Sequence, residues 1–179
     1  GSDRVGVCRA VMASIAPEAR VVDITHDLPP FDIRAASLAL VRCVQYLPAG
    51  VVLAVVDPGT GSDRRCLAVE VEGGVFVGPD NGVLAGAVAM VGGPSRVVSL
   101  TNDDFHLGPG AVGHATRDIM APAAAYLAAG TDLAELGDEV DPLSLVPGLL
   151  PIPEIADDGT LRGEVIGVDR FGNVQLNVD

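Results

Sequence analysis

Two stretches decide the fold class: Arg20-Val21-Val22-Asp23-Ile24-Thr25, and Val51-Val52-Leu53-Ala54-Val55-Val56. Both are short and rich in β-branched apolar side chains, the composition of strands buried on both faces. Between them, residues 33–47 (IRAASLALVRCVQYL) carry apolar side chains at helical spacing; Asp32 stands at the head as a cap and Pro48-Ala49-Gly50 closes the run. A second helical pattern, residues 5–17 (VGVCRAVMASIAP), precedes the first stretch and stops at Pro17. Helix, strand, helix and strand in this order imply an α/β domain with a largely parallel central sheet flanked by helices.

Working outward, CLAVEVE (66–72) and VFVG (75–78) read as a hairpin around Gly73-Gly74. Pro79-Asp80-Asn81-Gly82 leads into a helix of small residues, and a strand follows near residues 96–100. Residues 101–115 read as a polar loop and residues 117–129 as a helix with Pro122 near its start. A long connection rich in Pro, Gly and Asp then runs over residues 131–162. The last stretch, GEVIGVDRFGNVQLNVD, reads as two short strands around a turn. There is no internal repeat.

The chain of 179 residues is 49% hydrophobic with a mean hydropathy of +0.41, enough for one good core and too apolar for disorder. No apolar run reaches the ~18–20 residues of a membrane span. Net charge is −13, and all 11 basic residues are arginine. That balance argues against a polyanionic nucleic-acid partner; it would favour a cationic small molecule, and in the plainer reading it is only a solubility device. Without lysine there is no Schiff base and no phosphate loop of the Walker type. Cys8, Cys43 and Cys66 lack paired spacing and read as reduced core thiols of a cytoplasmic protein.

Ligands of such sheets sit outside the carboxyl ends of the strands; Asp23, His26 and Asp27 lie at one such end and Asp57 at another, and four clusters stand out along the chain. Asp57-Pro58-Gly59-Thr60-Gly61-Ser62-Asp63-Arg64-Arg65 puts a carboxylate into a glycine-rich turn, with Arg64 able to fold back onto it. The plain alternative is an Asp-Pro-Gly turn with solvated arginines. Asp23-Ile24-Thr25-His26-Asp27 could bind a metal or simply satisfy a strand end. His114-Ala115-Thr116-Arg117-Asp118 opens a helix, where Thr116 serves either a ligand or the helix as its cap. Asp169-Arg170-Phe171-Gly172-Asn173 suits a tight turn. The histidines, His26, His106 and His114, have no metal-binding spacing.

In this order, VVDITHDLPPFDIRAA, VVDPGTGSDRR, VGPDNGVL, RDIMAPAAAYLAAG and VDRFGNVQLN resemble the adenosine-forming S-adenosylmethionine hydrolases, also called SAM hydroxide adenosyltransferases, relatives of the fluorinases and chlorinases. The resemblance covers about residues 4–179. It implies an α/β N-terminal domain over residues 1–150, then a linker and the first strands of a small C-terminal β-barrel over residues 151–179, with both ends truncated and the first strand missing. It implies a homotrimer with sites between subunits, no cofactor, no metal, and no nucleic-acid or membrane partner. By the same likeness, Asp57, Arg64 and His114 are the catalytic set. Aligned on Arg117-Asp118, the family's histidine position holds Ala115, with His114 one residue earlier; otherwise Asp57 and Arg64 activate water alone. Phe31, Thr60, Asn81, Thr116, Asp169 and Asn173 are the implied substrate-binding residues. Asp57 stands where halogenating relatives carry a non-acidic residue, and a carboxylate repels halide but can take a proton from water. The implied reaction is hydrolysis of S-adenosylmethionine to adenosine and methionine. The alternatives are a nucleoside-binding protein without catalysis and a halogenase acting on the same substrate.

Overall fold

The computed structural model describes residues 3–59, 61–108, 113–148, 151–168 and 171–178. Helices α1 (Asp3–Ile15) and α2 (Ile33–Val44) come first, followed by strand β1 (Gly50–Leu53). Asp32 caps α2 through its carboxylate, which accepts from Ala35 N at 2.8 Å. Strands β2 (Cys66–Val71) and β3 (Gly74–Pro79) form the hairpin expected around Gly73, whose φ of 87° suits glycine. Helix α3 (Ala85–Met90), strand β4 (Arg96–Ser99), helix α4 (Ala121–Ala128) and the short strand β5 (Asp138–Glu139) complete the main layer.

The sheet order is β1-β3-β2-β4-β5, and β1 with β3 is its one parallel pair among the described strands. This corrects the expectation of a largely parallel sheet. A tight hairpin forces β2 and β3 antiparallel, and β4 returns beside β2, again antiparallel. Residues 20–25 form no strand, and Val22 and Ile24 are largely exposed. Their composition favours an extended chain, but a strand also needs a partner to complete its ladder.

Alternation along β2 splits the core. Leu67, Val69 and Val71 face α2 and α3, packing on Leu40, Val44, Val83 and Val88. Ala68 faces the other way with Val77 and Val98, onto Met120, Ala123 and Ala124 beside α4. Helix α1 packs outside α4. Beyond the main sheet lie two hairpins, β6 (Glu154–Ile155) with β7 (Leu161–Arg162) and β8 (Val165–Val168) with β9 (Val174–Leu176). Arg34 reaches Glu164 at 3.3 Å and Arg42 bonds to Gln175, tying the last hairpin to α2. Among the described residues, no helix is long and apolar enough to cross a membrane.

Candidate active site

Strand directions gather the polar clusters at one end of the sheet. β1, β3 and β4 all run the same way, since β2 is antiparallel to both of its neighbours. Their carboxyl ends therefore lead together into Asp57, into Asp80-Asn81 and into the loop beyond Leu100. Arg64 and Arg65 enter β2 at that same end. Gly61 of the Asp57 loop meets the segment before His114: a Cβ at Gly61 would lie 3.7 Å from Gly113 Cα.

Asp57 is the centre of this end. Its side chain is only 6% exposed, and Oδ1 accepts from Gly59 N at 3.0 Å while Arg64 Nη1 stands 3.5 Å away. The guanidinium arrives by lying across Gly59, where a Cβ would fall 2.8 Å from Arg64 Cζ. Cys66 lies close enough to Asp57 for burial first, and the carboxylate second, to push its thiol up to about 11.

Arg65 is not a solvated companion of Arg64. It binds Asp80 Oδ2 through Nε at 2.9 Å and through Nη2 at 2.5 Å, and it donates to Ser144 Oγ at 3.1 Å and to Ser144 O at 2.8 Å. Asp80 Oδ1 accepts from Val146 N at 2.9 Å. Asn81, buried beside it, donates from Nδ2 to Val56 O at 2.8 Å and accepts from Val83 N at 3.1 Å. The sequence offered two signals for this clamp, the tandem arginines and the Asp-Asn pair, but neither says which strand end it will meet. Nothing in the sequence marks Gly59 as a packing surface, because glycine in such a turn equally satisfies a turn requirement.

Phe31 stands 72% exposed with φ 66°, the one non-glycine residue with positive φ among those described. Such strain in a bulky residue is a pointer to function. Thr116 opens a π-helical turn (Thr116–Met120), with Ala115 at its head and no side-chain cap. Its reading as a cap is thereby corrected: the i→i+5 turn begins one residue too early for it. His114 is exposed, and its carbonyl accepts from Arg117 N and Asp118 N at 2.9 Å each. Arg117 binds Asp118 through Nε at 2.5 Å and Nη2 at 2.7 Å, a hydrogen-bonded pairing that holds the Asp118 carboxyl below its usual range. Asn173 is exposed in the turn before β9. Thr60 and Asp169 lie outside the described residues.

The other two histidines have local partners. His26 Nε2 lies 3.2 Å from Asp23, whose other oxygen binds Arg9 of α1 at 2.9 Å, so this cluster is an exposed ionic contact. His106 Nε2 donates to Leu100 O at 3.2 Å, and Nδ1 lies 3.0 Å from Asp103. Among the described residues, no three His, Cys, Asp or Glu side chains converge as ligands for a metal ion.

The structure thus holds a carboxylate and a guanidinium together in one glycine turn, at the end of the sheet where β1 and β3 terminate. Comparison with known proteins gives the chain a family. Residues 1–137 match the SAM hydroxide adenosyltransferase N-terminal domain, and the chain belongs to that family. It is 46% identical over 172 residues to a Salinispora tropica protein named (R)-S-adenosyl-L-methionine hydrolase, covering 96% of this chain and 66% of the relative. A Thermus thermophilus protein of the same name is 44% identical over 178 residues, covering 94% and 67%. A fluorinase of Actinoplanes is more distant, at 26% identity over 201 residues, covering 98% and 67%. The crystal structure of a conserved protein from Thermotoga maritima superposes with a TM-score of 0.86 at 35% identity, covering 99% of this chain and 67% of that one. The chain thus spans about two thirds, 66–67%, of the length of these relatives.

Proposed function

We propose that this chain carries the hydrolytic site for S-adenosylmethionine, with water attacking the ribose 5′ carbon in line with the sulfonium. The C5′–O bond forms as the C5′–S bond breaks, and the bonding pair returns to sulfur as the neutral thioether of methionine. The water proton passes to Asp57, and adenosine leaves. Sulfur departs without positive charge, so the work left to the protein is orientation, exclusion of bulk water and acceptance of one proton. The observation that carries this reading is the enclosed Asp57 carboxylate, held by Gly59 N at 3.0 Å with Arg64 at 3.5 Å. The two most similar named relatives described above are hydrolases of this substrate.

In this reading Arg64 fixes Asp57 and stabilises the nascent hydroxide. His114, one place from the family histidine, is the third member, a reading supported by the approach of Gly113 to Gly61. Phe31 walls the nucleoside, Thr60 and Thr116 meet its polar edge, and Asp169 and Asn173 hold the methionine amine and the adenine ring. Residues 1–150 form the α/β domain, and residues 151–179 begin a small β-barrel. Three copies assemble in the cytoplasm with sites between neighbours; light scattering tests that assembly. Exposed apolar residues such as Phe171 and Val168 suit such an interface.

The test is Asp57→Asn, with adenosine and methionine followed by chromatography. Adenosine release from S-adenosylmethionine should disappear in the variant. Release undiminished by the substitution would remove Asp57 from the chemistry. Incubation with chloride or fluoride, and a search for the 5′-halogenated nucleoside, separates hydrolysis from halogenation.

A further inference from the structure

Both polar atoms of Asn81 are spent on backbone, and part of that backbone belongs to the Asp57 turn. Just past β1, Ala54 N donates to Val77 O at 3.0 Å. Beyond it, the carbonyl of Val56 is held by a side chain, Asn81 Nδ2, at 2.8 Å. Asn81 Oδ1 accepts from Val83 N at 3.1 Å, and the residue is 5% exposed. The orientation of the amide is fixed by its partners, since a carbonyl can only accept and a backbone N–H can only donate. Asn81 is itself anchored. Asp80 N donates to Arg65 O at 2.9 Å, and the Asp80 carboxylate is gripped by Arg65 and by Val146 N.

From this geometry we infer that Asn81 is a positioning residue for the proposed hydrolysis, a strut that aims Asp57, and not a substrate contact. The peptide bond makes the link rigid. The Val56 carbonyl, Asp57 N and Asp57 Cα lie in one plane. Fixing the oxygen at Asn81 therefore fixes the direction in which Asp57 leaves the strand. Only then do Gly59 N and Arg64 find its carboxylate. The pairing crosses 25 residues of chain and exists because β1 and β3 lie side by side and parallel. The inference rests on the proposed role of Asp57, but the strut can be measured without any turnover.

Two variants separate the two halves of the amide. Asn81→Asp keeps an acceptor for Val83 N–H and turns a second acceptor toward Val56 O. Asn81→Ala removes both bonds. In 15N NMR spectra of the folded chain, Asn81→Asp should shift the amides of Asp57 and Gly59 and the Arg64 Nε–H signal, leaving α4 and β4 in place. With S-adenosylmethionine, kcat should fall about 10²-fold, the order expected for a misaimed catalytic group, with KM nearly unchanged. Unmoved signals at Asp57, Gly59 and Arg64, or a raised KM with kcat retained, would overturn the strut. A merely structural role would lower thermal stability and the yield of active protein without this pattern. Should neither variant fold, exchange of the Asn81 side-chain amide protons in the unmutated chain decides: slow exchange supports the strut, and exchange as fast as an exposed amide overturns it. If the unmutated chain releases no adenosine, the hydrolase reading fails while the NMR result still judges Asn81.

Discussion

Arg64 reaches the carboxylate of Asp57 by lying flat over the α-carbon of Gly59. The distance from Nη1 to Oδ1 is 3.5 Å, and a methyl group at Gly59 would overlap the guanidinium, 3.0 Å from Nε and 2.8 Å from Cζ. One residue thus supplies the backbone donor to Asp57 and the surface on which its cationic partner rests.

Gly59→Ala is the direct consequence. Gly59 is not among the glycines with positive φ, so alanine meets no backbone penalty there and acts through its methyl group alone. The guanidinium must swing away from Asp57. Adenosine release should fall by about 10²-fold, approaching Arg64→Ala, while the melting temperature barely moves. Unchanged kcat in the alanine variant would show that Arg64 need not lie where it does.

Cys66 reports on Asp57 without any catalysis. Its thiol is pushed up to about 11, by burial first and by the Asp57 charge second. A raised thiol pKa keeps Cys66 neutral and slow to react near pH 8. Asp57→Asn removes the repelling charge and brings the pKa down, so more thiolate forms at a given alkaline pH. Iodoacetamide labelling at about pH 10, read by mass spectrometry at Cys66, should be faster in the variant than in the parent. Equal rates would place the two side chains out of electrostatic reach.

The hairpin β2–β3 and the helix α2 could be read from sequence because their determinants are local. Gly73 makes the turn, alternation along residues 66–71 sorts the faces, and Asp32 caps its helix within three residues. The pairing of Asp57 with Arg64 is also local, closed within a single turn. Sheet sense is not local. Residues 20–25 have the composition of a paired strand, yet composition cannot supply the neighbour, and expecting one made the sheet seem parallel. Asn81 and Arg65 were opaque for the same reason. Their partners, Val56 and Ser144, are brought to them by strand pairing and by the return of the chain after β5. Whether Thr116 caps a helix could not be read from sequence, because a π-turn and an ordinary helix start share one sequence signature.

The Arg65–Asp80 pair should be a main anchor of residues 144–146. Asp80→Ala leaves Arg65 without its carboxylate and Val146 N–H without its acceptor. The Asp80 side chain is 6% exposed and that of Arg65 35%, so the loss is set near the lower end for a broken buried pair, about 3 kcal/mol. For a chain of this size that corresponds to roughly 6–12 °C in melting temperature. A melt within a degree or two of the parent would mean the clamp is not coupled to the core.

Acid should weaken the fold through carboxylates of known position. Asp118 is held below its usual range by its hydrogen bonds from Arg117, Asp132 by the backbone of Ala134 and then Arg96, and Asp158 by the backbone of Thr160. A lowered folded-state pKa means that the unfolded chain binds protons first as pH falls. The stabilisation is therefore complete above the ordinary carboxylate range and is lost as pH drops through the folded values. Melting temperature should be flat above about pH 5 and fall below about pH 4. Asp118→Asn and Asp132→Asn should each lower the plateau and flatten that fall; a slope identical to the parent's in the double variant would assign acid lability elsewhere.

Phe31 sets stability against binding. A phenylalanine at φ 66° is strained, by an amount on the order of 1–3 kcal/mol. The residue is too exposed, at 72%, for its own burial to repay that strain. Glycine adopts the same backbone freely but gains entropy in the unfolded chain, which offsets part of the relief. Phe31→Gly should accordingly stabilise the chain by about 1 kcal/mol, seen as a rise of roughly 2–4 °C in melting temperature. If the ring walls the nucleoside, calorimetry should show adenosine binding weakened by about tenfold or more, the order expected for a lost base-stacking contact. Phe31→Asn, which tolerates the same backbone while remaining a non-stacking side chain, should match glycine in affinity. A variant that melts higher and binds adenosine as well as the parent would show that the strain at Phe31 is not kept for the ligand.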